Sequence, residues 1–416
     1  MPEFDVAVVG GGPVGACAAA LLARAAGSGA ARLRVVLVEP HVPPPPSEDA
    51  PPDARVVAIS HASEALLRSA GAWPAIAGPR ACAYERMRIW HESVAPESDG
   101  VLIFDAADVG EPNLGYIVES RLLQSALIAA FTAAAGQLEA AQFSSLAIEA
   151  DGVRITTSRG ELSTRLVVGA DGAQSAVRAA AGLTAEVSGY HQTAIVATVA
   201  TARPNAMTAW QRFMKNGTLA FLPLFDGTSS IVWSADEPLA AELAGASAAD
   251  FALELDRASD LALGATRLVS ERASFPLTRL TAPRYIAQRV ALVGDAAHVV
   301  HPLAGQGVNL GLLDAGALAQ ELVGALARRE DPGSLAVLRV YERWRKSEIA
   351  VMAASIDTFD RLLAHGTGPI ARLAQRGLGW VNRSQELRRF FIHRALGVSG
   401  ELPEAAQRGD HEAIHP

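Results

Sequence analysis

Phe4-Asp-Val-Ala-Val-Val9 runs straight into Gly10-Gly11-Gly12-Pro13-Val14-Gly15, and the reading of this junction decides the fold. The apolar run reads as a short buried strand, and the Ala/Leu-rich stretch 16–26 after the glycines reads as a helix. A second apolar run, Arg34-Val-Val-Leu-Val-Glu39, again has strand length. Strand, tight turn, helix and strand form a βαβ unit whose strands are parallel and buried on both faces. In the Gly-x-Gly-x-x-Gly turn, Gly10 permits the tight bend, Gly12 admits a pyrophosphate to the backbone, and Gly15 lets helix and strand pack closely. The helix N-terminus adds unpaired N–H groups and a partial positive charge. Glu39 ends the second strand, where a carboxylate can accept hydrogen bonds from ribose hydroxyls and would repel a 2′-phosphate. A dinucleotide site is the expectation.

Working outward, 416 residues are too many for one typical domain and predict two lobes. Half the chain is hydrophobic and 19% is charged, which excludes disorder. With 36 basic against 44 acidic residues the net charge is −8, so no nucleic-acid partner is expected. Cys17 and Cys82 are the only cysteines, too few for a disulfide framework or a Cys-rich metal site, and a reducing cytoplasm is the expected setting. No basic region precedes the first apolar run, and Arg24 and Arg121 interrupt the best Ala/Leu stretches, so neither a signal peptide nor a membrane span is expected. The proline-rich, acidic stretch 42–53 reads as a solvated loop. Helices are expected at 63–70 and 121–135, and short strands at 87–91 and 101–104. From 192 to 235 the texture changes to strand-like runs at 193–201, 209–214, 218–224 and 229–234, broken by the turn signals Asn216-Gly217 and Asp226-Gly227. Successive hairpins predict an antiparallel sheet, a second lobe inserted into the first. The chain then returns to a parallel-type strand at 290–293.

That strand delivers a second constellation: Gly294-Asp295-Ala-Ala-His298, then His301-Pro302-Leu-Ala-Gly305-Gln306-Gly307-Val-Asn309-Leu-Gly311. Asp295 stands at the carboxyl end of a strand, where ligands bind in open α/β sheets, and can hydrogen-bond a polyol. Pro302 fixes a turn, Gly305 and Gly307 let the backbone lie flat against a planar ligand, and the following helix points its positive end at it.

Together these residues resemble a known family. Gly10, Gly12, Pro13 and Gly15 with Glu39, then Val168-Gly-Ala-Asp171-Gly172-Ala-Gln-Ser175-Ala-Val-Arg178, then the Gly294-Asp295 block, are similar in order and spacing to the three motifs of class A FAD-dependent aromatic hydroxylases. Arg55-Val-Val-Ala-Ile-Ser60, Gly115-Tyr-Ile-Val-Glu-Ser-Arg121-Leu-Leu-Gln124 and the stretch 298–314 resemble the ubiquinone-biosynthesis hydroxylases (UbiH/UbiF type) within that group, as does the tail from Arg388 to Pro403. The resemblance implies an α/β fold: a doubly wound, Rossmann-like FAD-binding domain (1–80, 105–182 and 271–345), an inserted antiparallel-sheet substrate domain (81–104 and 183–270) and a helical C-terminal segment (346–416). It implies FAD as cofactor, with Gly10, Gly12, Gly15 and Glu39 at the ADP half. Arg55, Arg121, Gly294, Asp295, Pro302, Gly305, Gln306, Gly307 and Asn309 are placed at the ribityl and flavin portions. Asp171, Gly172 and Arg178 are linked to both FAD and a transiently visiting NAD(P)H.

The implied reaction is monooxygenation: NAD(P)H reduces the flavin, the reduced flavin traps molecular oxygen as a C4a-hydroperoxide, and an electron-rich ring takes up one oxygen atom. A phenol reacts more easily as phenolate, so a base or proton relay is expected. His301 with Pro302 beside the flavin edge, and Tyr190 and His191 at the lobe boundary, are the catalytic candidates. Trp210, Phe213, Leu222, Pro223, Leu224, Trp233 and Phe275 are candidates to line an apolar aromatic pocket, though strand alternation lets only about half of them face one side. From 361 to 400 seven arginines face one acid, Glu386, with aromatic and leucine residues interleaved. Such a surface suits anionic lipid at the inner membrane or a biosynthetic complex, and equally a helix packed on the first lobe. The leading expectation is hydroxylation of a polyprenylated phenol in ubiquinone biosynthesis. A soluble phenolic substrate, a non-oxygenase flavoprotein reductase and a non-catalytic flavin scaffold are the alternatives.

Overall fold

The computed structural model describes residues 2–25, 33–47, 49–301, 306–363 and 400–407. Phe4–Val9 lies at the centre of a parallel sheet, between Val35–Val38 and Gly160–Gly169. Gln137–Glu139 flanks the former and Val290–Leu292 the latter, both parallel. Strands therefore add outward in both directions from the first, so the order reverses at Phe4–Val9 and a crevice opens beyond its carboxyl end. The Val-rich sequences suit burial on both faces, and every residue of Val35–Val38 is buried. Helix Pro13–Arg24 is buried from Gly15 to Ala23, packed against Ser120–Ala133 and Gln306–Ala327. Its alanines keep those neighbours close. Antiparallel Phe143–Ile148 and Val153–Thr157 extend the sheet from Gly160–Gly169.

The second sheet follows the order His298–Val299, Ala273–Thr281, Glu186–Thr201, Ser229–Asp236, Gly217–Pro223, Thr208–Met214, Arg86–His91, Leu102–Asp105. Its hairpins stand where the Asn-Gly and Asp-Gly signals place them, and Met214 pairs with Gly217 across a two-residue loop. Three expectations need correction. The sheet is not wholly antiparallel, because Thr208–Met214 runs parallel to Arg86–His91. Ala273–Thr281, placed by sequence with the first lobe, pairs along Glu186–Thr201 in the second sheet. Cys82–Tyr84, placed with the second, joins Gly115–Glu119 and Val56–Ile59 in a separate three-stranded sheet. A boundary drawn from texture cannot see such pairings, since they depend on distant partners.

Helices Glu237–Gly245 and Ala248–Ser259 cover one face of the second sheet, where Ile195, Trp233, Phe251 and Leu255 form a core. The opposite face meets the first lobe through Leu222, Leu224, Ala58 and Ile117. Among the described residues, Gly307–Ala327 alone has the length and apolar character of a membrane span. It carries Asp314 and Glu321 and is mostly buried against other helices, as a core helix is. Leu335–Leu363 begins the C-terminal helical region earlier than expected. The arginine-rich stretch that follows, at 364–399, lies outside the described residues.

Candidate active site

The carboxyl ends of the parallel strands stand level. Gly10 N–H donates to the Val38 carbonyl at 2.9 Å, Ala170 N–H to Val9 at 2.8 Å and Val293 N–H to Gly169 at 3.0 Å. Three motifs separated by well over a hundred residues thus share one edge, and their glycines make the contact. A Cβ on Gly10, where φ is +100°, would collide with the backbone of Ala170 and lie 2.8 Å from Asp171 Cα. A Cβ on Gly15 would strike the Gly10 carbonyl and lie 2.8 Å from the Ala170 Cβ. Val14 is gripped from the other side: a Cβ on Gly294 would come within 3.1 Å of it, and one on Gly311 within 2.5 Å.

Gly12 differs. It caps helix Pro13–Arg24 in extended geometry with no side-chain cap, and a Cβ there would meet no protein atom within 4 Å. The protein itself gives no reason for glycine at this position. The open space before an uncapped helix N-terminus fits a pyrophosphate. Glu39 braces the turn, its carboxylate accepting from Gly11 N–H at 2.6 Å and His41 N–H at 2.8 Å. Gln124 donates to the Gly11 carbonyl at 2.9 Å.

The Asp171-Gly172 loop is self-contained. Ser175 is the N-cap of the helix Ala176–Ala180, accepting from Arg178 N–H at 2.9 Å, and Asp171 braces it by accepting from the Ser175 hydroxyl and from Val177 N–H. Arg178 donates to the carbonyls of Ala296 and Ala173, both at 2.8 Å, which fastens this loop to the Gly294–Ala296 turn. Asp295 is exposed to solvent, although protein crowds around it. Burial raises its pKa, partly opposed by the charges of His298 and Arg55, while Asp314 pushes it further up. Arg55 and Arg121 are exposed. Asn309 is buried and committed to the backbone, donating to the Ala58 carbonyl at 2.8 Å and accepting from Ser60 N–H at 3.1 Å. It anchors its helix to the strand Val56–Ile59. Gly307 lies in the first turn of that helix. Pro302 and Gly305 fall outside the described residues, as does the side chain of Gln306.

Asp314, which the sequence reading marked only as the end of a motif, holds this turn from below. Fully buried, it accepts from His298 Nε2 at 2.6 Å, Gly294 N–H at 3.0 Å and Arg345 Nε at 2.7 Å. Burial works to raise its pKa, but His298 and Arg345 outweigh burial and hold it below the usual carboxylate range. An acid in the midst of a mostly apolar helical stretch was the available signal for Asp314. Arg345 offered none among so many arginines.

The catalytic candidates separate. Between Gly189 and Thr193 the strand Glu186–Thr201 bulges against Ala273–Thr281. The bulge turns Gln192 inward, where its Oε1 lies 2.9 Å from buried His301 Nε2. Tyr190 meets the His301 ring edge to face at 4.8 Å. His191, at φ +55°, is thrown out to solvent beside Glu237, so it is not part of the cluster. Alternation divides the pocket candidates too. Trp210 and Trp233 pack toward the covering helices, away from the cofactor edge. Phe213 packs with Leu102 and Val300, and Leu222 and Leu224 pack with Ala58 and Ile117, on the opposite face. Phe275, 45% exposed, stands across from Ala194, in line with Val196 and Val232 on that same opposite face. Pro223 is buried but, alternating with Leu222, lies on the helix-covered face with Leu219 and Phe221.

A doubly wound lobe with an open phosphate turn, roofed by a second sheet, defines a flavin-binding oxidoreductase. Residues 3–352 match the family described as "FAD binding domain". The chain is 37% identical over 410 residues to the ubiquinone hydroxylase UbiL of Rhodospirillum rubrum, covering 97% of this chain and 92% of that protein. It is 35% identical to the 3-demethoxyubiquinol 3-hydroxylase of Escherichia coli, covering 95% and 98%. It is 34% identical to the mitochondrial ubiquinone biosynthesis monooxygenase COQ6 of Rattus norvegicus, covering 80% and 79%. Among solved structures, p-nitrophenol 4-monooxygenase PnpA from Pseudomonas putida shares the fold at a TM-score of 0.73 and 20% identity, covering 95% and 99%. The chain belongs to the FAD-binding-domain family and, within it, to the FAD-dependent hydroxylases of ubiquinone biosynthesis.

Proposed function

We propose that the protein is an FAD-dependent monooxygenase that hydroxylates the aromatic ring of a polyprenylated phenol in ubiquinone biosynthesis. The observation that carries this reading is the open, uncapped helix N-terminus at Gly12, where three glycine motifs converge under a second sheet, in a chain similar along its length to ubiquinone hydroxylases. When bound, FAD supplies hydride acceptance from NAD(P)H and activation of molecular oxygen. The chain's residues supply position and environment. Gly10, Gly12, Pro13 and Gly15 would receive the diphosphate on the helix N-terminus, with Glu39 bracing the turn. Arg55, Arg121 and Asp295 would hold the middle of the cofactor, with Asp171, Gly172 and Arg178 setting the turn that carries Asp295. Gly307 and Asn309 would set the approach of the helix to the ring system.

Phe213, Leu222, Leu224 and Phe275, with Val196 and Val232, give the roof an apolar side on which an aromatic ring can rest and from which water is displaced. His301, held by Gln192 and Tyr190, would take or relay a phenolic proton, a role its hydrogen bond to Gln192 supports. Contact with anionic lipid through the arginine-rich tail would bring a membrane-dissolved substrate to the pocket. Quinone profiling by mass spectrometry in a strain lacking this chain tests the reading. Accumulation of a prenylated phenol short of one hydroxyl is expected, restored by wild-type protein; an unchanged quinone profile overturns it.

A further inference from the structure

Arg80 and Glu119 carry no role in the reading above, yet they form a fully engaged buried ion pair. Arg80 is 6% exposed and Glu119 is 1% exposed. The guanidinium forks onto the carboxylate with both contacts at 2.7 Å. It also donates to the carbonyls of Ser47 at 3.0 Å, Ala50 at 2.8 Å and Pro51 at 3.3 Å. Among the described residues these bonds engage Nε and both terminal nitrogens of the guanidinium; lysine offers a single ammonium and no fork. Glu119 further accepts from Asp53 N–H at 2.7 Å. The end of the proline-rich loop, expected to be a mere solvated connection, is therefore pinned by one buried arginine.

The pinning has a direction. Asp53 accepts from Arg55 N–H at 3.2 Å, and the Arg55 carbonyl accepts from Ser120 N–H at 2.9 Å, one residue before Arg121. Glu119 is also the N-cap of helix Ser120–Ala133 but makes no cap, because its carboxylate is spent on Arg80 and Asp53. Two exposed arginines thus sit on hydrogen-bonded backbones at an uncapped helix N-terminus. A cation in a first helical turn, as Arg121 is, opposes the helix dipole, and a bound anion would relieve this.

We infer that Arg80 and Glu119 are positioning residues, a buried clamp that fixes the adjoining backbones carrying Arg55 and Arg121 so that both arginines can receive the anionic part of the cofactor. The inference rests on the flavin-hydroxylase reading. It is tested by titrating FAD into deflavinated wild-type, Arg80→Lys and Glu119→Gln proteins, with Arg289→Lys as control. Arg289 is likewise buried and paired with Asp331 at 2.8 Å, but that pair anchors the chain just ahead of the strand Val290–Leu292, at the end remote from the cofactor turn.

In the clamp variants the FAD dissociation constant rises roughly tenfold, the scale of one charge-assisted hydrogen bond. The visible circular dichroism of the remaining bound flavin changes as well. The control loses thermal stability but keeps wild-type affinity and spectrum. Folded clamp variants with wild-type affinity and spectrum overturn the inference, as does a control that weakens FAD equally. Should Arg80→Lys fail to fold, the shape-preserving Glu119→Gln carries the same expectation, and Phe225→Leu, which removes the ring stacked 4.5 Å from Arg80, gives a weaker shift of the same sign. A wild-type chain that takes up no FAD would instead sink the hydroxylase reading itself.

Discussion

At the residue scale, Asp295 and Asp314 show two carboxylates nineteen positions apart in sequence yet opposed in environment. Asp314 is satisfied on every side, and its depressed pKa means that its stabilising contribution is complete above the ordinary aspartate range and is lost only as acid passes below it. Asp295 is the reverse. The protein crowding this exposed carboxylate raises its pKa, so its ionised form carries a penalty above that raised value that solvent screening keeps small, and the penalty lifts as pH falls toward the unfolded value near 3.9. Asp295→Asn is therefore expected to leave the apoprotein at least as stable as wild type at pH 7.5, with any advantage gone by pH 4. Its FAD affinity should fall roughly tenfold. Urea denaturation of the apoprotein at both pH values, beside an FAD titration, checks this; a less stable variant with unchanged affinity refutes it.

At the scale of elements, the glycine turn separates packing from binding. Gly10 and Gly15 are glycine because the protein leaves no room for a Cβ; Gly12 is glycine although the protein leaves ample room. Gly15→Ala should destabilise even the apoprotein, by about 1–3 kcal/mol, through overpacking against the Gly10 carbonyl. Gly12→Ala, with φ at −61°, should cost about 1 kcal/mol or less in apoprotein stability yet weaken FAD at least tenfold. Melting curves of the two apoproteins, each paired with flavin titration, give the contrast. Equal destabilisation by both substitutions would show that Gly12 serves packing alone. The bulge at residues 190–192 belongs to this scale as well. It aims Tyr190 and Gln192 at His301 while expelling His191, although all three are polar residues that can hydrogen-bond.

At the scale of the whole molecule, the cofactor edge of one sheet faces the roof formed by another, and the chain crosses between them through His298–Val299. A membrane-dissolved substrate would need the assembled molecule to sit at a lipid surface. Flotation with phosphatidylglycerol vesicles should carry the protein upward at low salt and release it at high salt, since six net positive charges lie between 361 and 400. No flotation at low salt rejects the lipid contact. The phosphate turn, the parallel unit and the hairpins were legible in the chain because each rests on local chemistry: glycines at fixed offsets, apolar runs of strand length, Asn-Gly and Asp-Gly turns. Family motifs extended the reading to Asp295 and Arg55, whose roles at the cofactor are proposals. The sheet assignments of Ala273–Thr281 and Cys82–Tyr84, the face on which Trp210 or Phe213 lies, the outward turn of His191, and the buried partners Asp314–Arg345 and Arg80–Glu119 were not legible. Each depends on which distant backbone supplies a pairing partner or which buried opposite charge receives a side chain, and such contacts come into being only when the chain closes on itself.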